Sequence, residues 1–197
     1  MNMELIFATN NRHKIREISS LLEPGTELIG LTDVNITEDI PEDWVTLEEN
    51  ALFKARFVHR RTGMNVFADD TGLEVEALNG APGVHSARFA GEERDSSANM
   101  TKLLRLLEGK KNRKARFRTV IALIYGGSEY LFEGSIAGRI IEERKGIEGF
   151  GYDPVFIAEG NTLTFAEMSL PEKNKISHRA RAFEGLRKFL AENGEAK

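Results

Sequence analysis

The chain has 197 residues, with 27 Lys+Arg against 31 Asp+Glu for a net charge of −4, 41% hydrophobic residues and no cysteine. This is a globular composition that excludes a disulfide framework, a thiol nucleophile and an iron–sulfur site, and its mild acidity argues against nucleic acid as a partner. At this length about 70% of the unfolded surface can be buried, so one compact unit or two lobes is expected, with no structural metal needed for folding.

Met1 to Phe7 has neither a basic region nor a long apolar stretch, so no export signal is expected, and a cytoplasmic protein is. Met3 to Ala8 is apolar on both faces and predicts a buried, parallel strand. Thr9-Asn10-Asn11 breaks it. From Arg12, the residues Ile15, Ile18, Leu21 and Leu22 keep helical spacing until Pro24-Gly25. Glu27 to Leu31 predicts a second strand, and Thr32 to Asp43 is acidic and irregular. Thr46 and Glu49 form a capping-box pair. The helix they open carries Leu47, Ala51, Ala55 and Val58 on one face and ends before Gly63. Asn65 to Ala68 predicts a third strand, broken by Asp69-Asp70-Thr71-Gly72.

Leu73 to Phe89 reads as a long ordered loop with short strands. Asp95 can cap a helix to about Leu107 that buries Leu103, Leu106 and Leu107. Arg116 to Tyr125 and Glu129 to Ile136 flank Gly126-Gly127-Ser128, a hairpin pattern. The longest apolar run of the chain, Val120 to Tyr125, is far short of the about 18–20 residues that cross a bilayer, so no membrane partner is expected. Gly149 to Asp153 is a loop before a short strand, Pro154 to Ala158. Ser169 and Glu172 form a second capping box, and a last helix carries Ile176, Ala180, Phe183, Leu186 and Leu190. The order predicts a mixed α/β fold in which any two lobes are interleaved along the chain.

Five segments carry candidate chemistry. Thr9 to Lys14 brings a strand to a helix N-terminus, where free N–H groups and the helix dipole attract an anion. Thr9 and Asn10 add donors and Lys14 adds charge; ordinary capping, with Lys14 paired to Glu17, is the competing reading. No Walker A loop is present. Asp69-Asp70-Thr71-Gly72 stands at the carboxyl end of a strand, where open α/β sheets bind ligands. Two adjacent carboxylates either point apart, meet a cation, or raise one pKa. A raised Asp can act as general base and an ionised one can hold Mg²⁺; a polar turn is the plain alternative.

Asn50 and Lys54 share a helix face away from the apolar stripe, and Lys54 has no acid at helical spacing, which leaves a substrate contact or a solvated face. In Gly149-Phe150-Gly151-Tyr152-Asp153 an exposed ring can stack on a base and Asp153 can accept from a ring N–H or a ribose, or the segment is a packed loop. Lys173, His178, Arg179 and Arg181 set cations at a helix start, against the macrodipole, for a ligand or as surface charge. The basic run Lys110 to Arg118 reads as a solvated loop entering a charge-protected strand. With the acids Glu38, Asp39, Glu42 and Asp43, this inventory suits a polyphosphate, Mg²⁺ and a stacked base, and does not name the substrate.

Together these segments resemble the inosine triphosphate pyrophosphatase family, the non-standard purine NTP pyrophosphatases. The matching pieces are Thr9-Asn10-Asn11 to Lys14, Glu49-Asn50-Ala51 to Lys54, Asp69 to Leu73, Gly80 to Phe89, Phe150 to Phe156 and Ser177-His178-Arg179, in the family's order and spacing. The resemblance implies an elongated mixed β-sheet with flanking helices, forming two lobes around a central cleft within one domain over residues 1–197. It implies a homodimer that hydrolyses ITP, dITP and XTP to the monophosphate and pyrophosphate with Mg²⁺, clearing aberrant purines.

By the same resemblance, Thr9, Asn10, Asn11, Arg12, His13 and Lys14 hold phosphate, with Lys54 nearby. Asp70, Asp69 and Lys14 form the catalytic set, with Asp70 as general base. Asp70 and Glu42 hold the metal, and Thr71 contacts substrate. Phe150, Gly151, Tyr152 and Asp153 surround the base; Lys173, His178 and Arg179 complete the site. His178 and Arg179 can donate to a 6-keto oxygen, which adenine lacks. Asp43-Trp44 replaces the Thr-Gly usual in bacterial members, which bears on the backbone setting of Glu42. A non-catalytic nucleotide-binding module is disfavoured by the crowded Asp69-Asp70 pair. A septum-inhibitor-type pyrophosphatase acting on pyrimidine triphosphates is disfavoured by Ser177-His178-Arg179.

Overall fold

In the computed structural model, which describes residues 3–22 and 26–193, β1 (Met3–Phe7) has Leu5, Ile6 and Phe7 all buried. A strand apolar on both faces needs cover on both, and β1 lies between two parallel neighbours, β2 (Thr26–Ile29) and β3 (Val66–Val75). Leu5 stands opposite Leu28, and Ile6 opposite Val66. Further along come β4 (Pro82–Gly83), β5 (Lys114–Tyr125), β6 (Ser128–Ile140) and β7 (Phe156–Ala158). The strands make a seven-stranded mixed sheet in the order β2-β1-β3-β5-β6-β7, with β4 antiparallel on β3. The helices are α1 (Arg12–Ser19), α2 (Leu47–Thr62), α3 (Ser96–Leu106), α4 (Leu170–Asn174) and α5 (His178–Asn193). Among the described residues no helix is long and apolar enough to cross a membrane.

The chain divides into two compact units that interleave in sequence. One holds the described residues up to Asp70, Thr119–Gly134 and those from Arg179 onward; the other holds Thr71–Arg118 and Ser135–His178. The first has its own core of Leu5, Phe7, Ile18, Phe67, Ile121, Leu123, Phe183 and Leu186, in which the Phe7 and Phe67 rings stack at 4.4 Å. The second has a separate core of Leu73, Val75, Leu103, Phe117, Ile140, Val155, Phe156 and Phe165. Each such side chain contributes about 1.5–3 kcal/mol on burial.

Local signals explain most boundaries. Thr46 caps α2, its hydroxyl accepting from Glu49 N and donating to the Glu49 carboxylate. Leu47, Ala51, Ala55 and Val58 are buried as their spacing predicts, and Gly63 closes the helix in the left-handed region. Asp95 caps α3, and Ser169 with Glu172 completes a capping box on α4. In the basic segment, buried Ala115 and Phe117 alternate with exposed Lys114 and Arg116 along β5. Arg113 braces the neighbouring turns by donating to the carbonyls of Leu107, Ile140 and Ile141.

Four expectations fail. The third strand is not broken at Asp69: β3 continues to Val75, because the carboxylates meet cations and Gly72 admits the neighbouring chain. A Cβ at Gly72 would lie 2.7 Å from the Gly83 carbonyl oxygen. The first helix ends at Ser19, so Leu21 and Leu22 reach the core from beyond it; Pro24-Gly25 lies outside the described residues. Leu106 is exposed, because Met100, Leu103 and Leu107 form the buried stripe and Leu106 falls to its side. Ile176 precedes α5, which buries Ala182 rather than Ala180, together with Phe183, Leu186 and Leu190.

Candidate active site

Within the first unit, two chains of charge converge on the Asp69-Asp70 pair at the middle of β3. Successive strand residues face opposite ways, so the two carboxylates have separate partners. Asp69 is buried. Its Oδ1 accepts from Lys14 at 2.9 Å and its Oδ2 from Arg179 Nε at 3.0 Å. Arg179 also donates through Nη1 to buried Glu17 on α1. Burial opposes the Asp69 charge, but Lys14 and Arg179 outweigh it and hold the carboxyl well below its usual range. Arg179 is likewise held above its ordinary value by Glu17 and Asp69, against burial.

Asp70 faces Lys54 of α2, whose ammonium lies 3.4 Å from Asp70 Oδ1 and 2.5 Å from Glu42 Oε1. Lys54 is buried, which alone would lower its pKa; the Asp70 and Glu42 carboxylates raise it instead. Asp70 goes the other way. Burial, with help from Glu42 and Asp69, lifts its pKa above the ordinary value despite Lys54 and Lys14. Its Oδ2 is buried and has no hydrogen-bond partner among the described residues. A buried carboxylate oxygen left open beside a second, partly accessible carboxylate is a donor set for a hard divalent cation. Among the described residues no three Asp, Glu, His or Cys side chains form a metal site, so such a cation would take its remaining ligands from water and phosphate, as Mg²⁺ commonly does.

The phosphate-loop residues sit at the start of α1. Asn11 is the N-cap, accepting from His13 N at 3.0 Å and Lys14 N at 3.2 Å, and Thr9 Oγ1 accepts from Asn11 N. Capping is therefore real, but Lys14 pairs with Asp69 and not with Glu17. Asn10, Arg12 and His13 are exposed beside it.

The second unit gathers the aromatic loop with Lys173 and His178. Asp153 Oδ2 accepts from Lys173 Nζ at 2.6 Å and from Phe150 N at 2.8 Å, and both charged side chains are buried. Gly149 lets the loop close on that carboxylate, since a Cβ there would lie 2.1 Å from it. Lys173 Nζ lies 5.2 Å from the Phe150 ring centroid, a cation–π distance. The His178 ring stacks on Phe117 at 4.6 Å. Phe150 is half-buried rather than freely exposed. Tyr152 belongs to the core: its hydroxyl donates to the Ser86 carbonyl at 2.9 Å, and burial pushes its phenol pKa up. Gly151 and Thr71 are also half-buried, Thr71 directly after Asp70 on β3.

The structure thus groups Lys14, Lys54, Glu42, Asp69 and Asp70 in the first unit, and Phe150, Asp153, Lys173 and His178 in the second. Arg179 departs from its expected company: its guanidinium holds Asp69 and Glu17. Sequence spacing missed Glu17, which sits at i+3 from Lys14 yet pairs with a residue 162 positions away. It also missed Phe117, whose signal was only strand alternation.

Known proteins are similar to this chain over nearly its whole length. The family model described as the Ham1 family matches residues 5–189. A protein of Porphyromonas gingivalis named dITP/XTP pyrophosphatase is 58% identical over 188 residues, 95% of this chain and 97% of that protein. One of the same name from Christiangramia forsetii is 52% identical, over 96% of this chain and 100% of that protein. The solved structure of a HAM1 protein from Coxiella burnetii superposes with a TM-score of 0.88 at 38% identity, covering 96% of this chain and 99% of that one. With this fold, these motifs in order and matches spanning nearly every residue, the chain belongs to the Ham1 family.

Proposed function

We propose that this protein is a nucleoside-triphosphate pyrophosphohydrolase that converts ITP, dITP and XTP to the monophosphate and pyrophosphate. The observation that carries the reading is Asp70: a buried carboxyl with a raised pKa and an open Oδ2, in a setting of lysines suited to a triphosphate. The near-full-length likeness to proteins named dITP/XTP pyrophosphatase supports the same substrates.

In this reading Lys14 and Lys54 hold the phosphate end, with Thr9, Asn10, Asn11, Arg12 and His13 at its approach. Asp70 and Glu42 would hold Mg²⁺, which when bound would offset phosphate charge. The Asp70 carboxylate takes a proton from a water whose oxygen attacks the α-phosphorus. The bond from that phosphorus to the bridging oxygen breaks, and pyrophosphate leaves with the electron pair. Asp69 keeps Lys14 in place and is itself fixed by Arg179. Phe150 supplies an aromatic face, Asp153 and Lys173 a fixed pair of polar atoms, and His178 an oriented imidazole for the base. The donors select for a 6-keto oxygen, because a purine carrying an amino group there leaves a buried donor unpaired. We also propose a cytoplasmic homodimer.

A substrate panel tests this. Pyrophosphate release that needs Mg²⁺ is expected from ITP, dITP and XTP far above that from ATP or GTP. Equal turnover of all purine triphosphates would remove the specificity claim, and orthophosphate as first product would remove the reaction.

A further inference from the structure

Asn50, on the first turn of α2, is a fully buried polar side chain near the site that the mechanism does not use. Its Oδ1 accepts from Trp44 N at 3.2 Å and its Nδ2 donates to Trp44 O at 3.2 Å. An amide that grips both polar groups of one backbone residue replaces the strand neighbour that this segment lacks. Residues 41–46 belong to no helix or strand, and Val45 is 79% exposed. The Trp44 ring lies against Phe53 of α2, with centroids 4.0 Å apart. Two residues before Trp44 stands Glu42, and one helical turn after Asn50 stands Lys54, which bonds it. A single helix therefore holds the segment at four points: Thr46 at its cap, Asn50 on the backbone of Trp44, Phe53 on its ring, and Lys54 on the carboxylate of Glu42.

We infer that Asn50 is a positioning residue for Glu42: by clamping the Trp44 backbone it sets the carboxylate beside Asp70 and so sets the affinity for the divalent cation. This rests on the reading of Glu42 and Asp70 as the metal-holding pair. The physical reason is conformational freedom. Fixing a backbone residue costs conformational entropy, and a carboxylate on an unanchored segment must meet that cost when it binds the ion. With the clamp in place the cost is met on folding. An amide suits this, because it carries a donor and an acceptor on two separate atoms of a short side chain. The ring of Trp44, against Phe53, adds a second hold.

Trp44 is the only tryptophan of the chain, so its emission reports on this segment directly. The test is calorimetric titration of the nucleotide-free protein with Mg²⁺, alongside Trp44 emission and the Mg²⁺ dependence of dITP turnover. Asn50→Ala is expected to weaken Mg²⁺ binding about 10–100-fold, the range for outer supports of metal ligands. It should also red-shift Trp44 emission, while KM for dITP at saturating Mg²⁺ and the order of preference among bases stay as in the wild type. Asn50→Asp keeps the shape but loses the Nδ2 donor; it should weaken Mg²⁺ binding too, and it serves if Asn50→Ala does not fold. In Glu42→Gln, adding Asn50→Ala should cause no further loss of Mg²⁺ affinity. Unchanged Mg²⁺ affinity in a folded Asn50 variant, or fully additive losses in the double variant, overturns the inference. If the wild type binds Mg²⁺ and the variants lose it, yet dITP is not hydrolysed, the functional reading fails and this inference stands.

Discussion

Asp69 and Asp70 are neighbours in sequence with opposite electrostatics. Asp69 has two cations and is kept ionised; Asp70 is buried with a less favourable balance and resists ionisation. For Asp70 the folded pKa lies above the unfolded one. Its contribution to stability is therefore present below the unfolded pKa and is lost as pH rises through the folded pKa. Asp70→Asn is expected to raise the melting temperature of the metal-free protein near neutral pH, with the gain shrinking toward about pH 4. The same variant should lose turnover and keep nucleotide binding. Thermal melts across pH check the first expectation, and a lower melting temperature at neutral pH would contradict it. Arg179 invites a different test. It is buried between Glu17 and Asp69, so Arg179→Ala leaves two buried carboxylates short of a partner and is expected to cost about 3–5 kcal/mol in denaturant unfolding. Altered base preference with unchanged stability would return Arg179 to base recognition.

At the scale of elements, β3 decides where chemistry sits. Its apolar half was legible, because Val66, Phe67 and Ala68 are continuous and β-prone. Its continuation was not, because Asp, Thr and Gly are turn residues whenever their partners are unknown. Those partners, Lys14, Lys54 and Arg179, lie 16 to 110 positions away, where no local pattern reaches. Helix starts were legible from Thr46, Asp95 and Ser169, since capping is local; the end of α1 was not, since Leu21 and Leu22 remain apolar past it. The candidate site was legible as separate motifs, and only folding shows which carboxylate meets which cation. Gly72→Ala tests the account of β3. Its Cβ must displace the Gly83 backbone, so a loss of about 1–3 kcal/mol is expected by chemical denaturation. A neutral substitution would mean that β4 does not approach β3 so closely.

For the whole molecule, a net charge of −4 coexists with buried or half-buried cations, each matched to a carboxylate: Lys14 to Asp69, Lys54 to Glu42 and Asp70, Lys173 to Asp153, Arg179 to Glu17 and Asp69. The charges are prearranged, and in the proposed function a triphosphate would join pairs that already exist instead of gathering loose side chains. Such an arrangement costs little reorganisation when charge develops, which is how fixed charges accelerate phosphoryl chemistry. Each of these pairs lies within one unit of the interleaved chain. The absence of cysteine fits a reaction that uses water and carboxylates. The central claim is that water attacks the α-phosphorus, and isotope placement reads this most directly: dITP hydrolysed in ¹⁸O-water with Mg²⁺, followed by mass spectrometry of both products. The account predicts the label in dIMP with unlabelled pyrophosphate; label in pyrophosphate or in orthophosphate, with dIMP unlabelled, would contradict it.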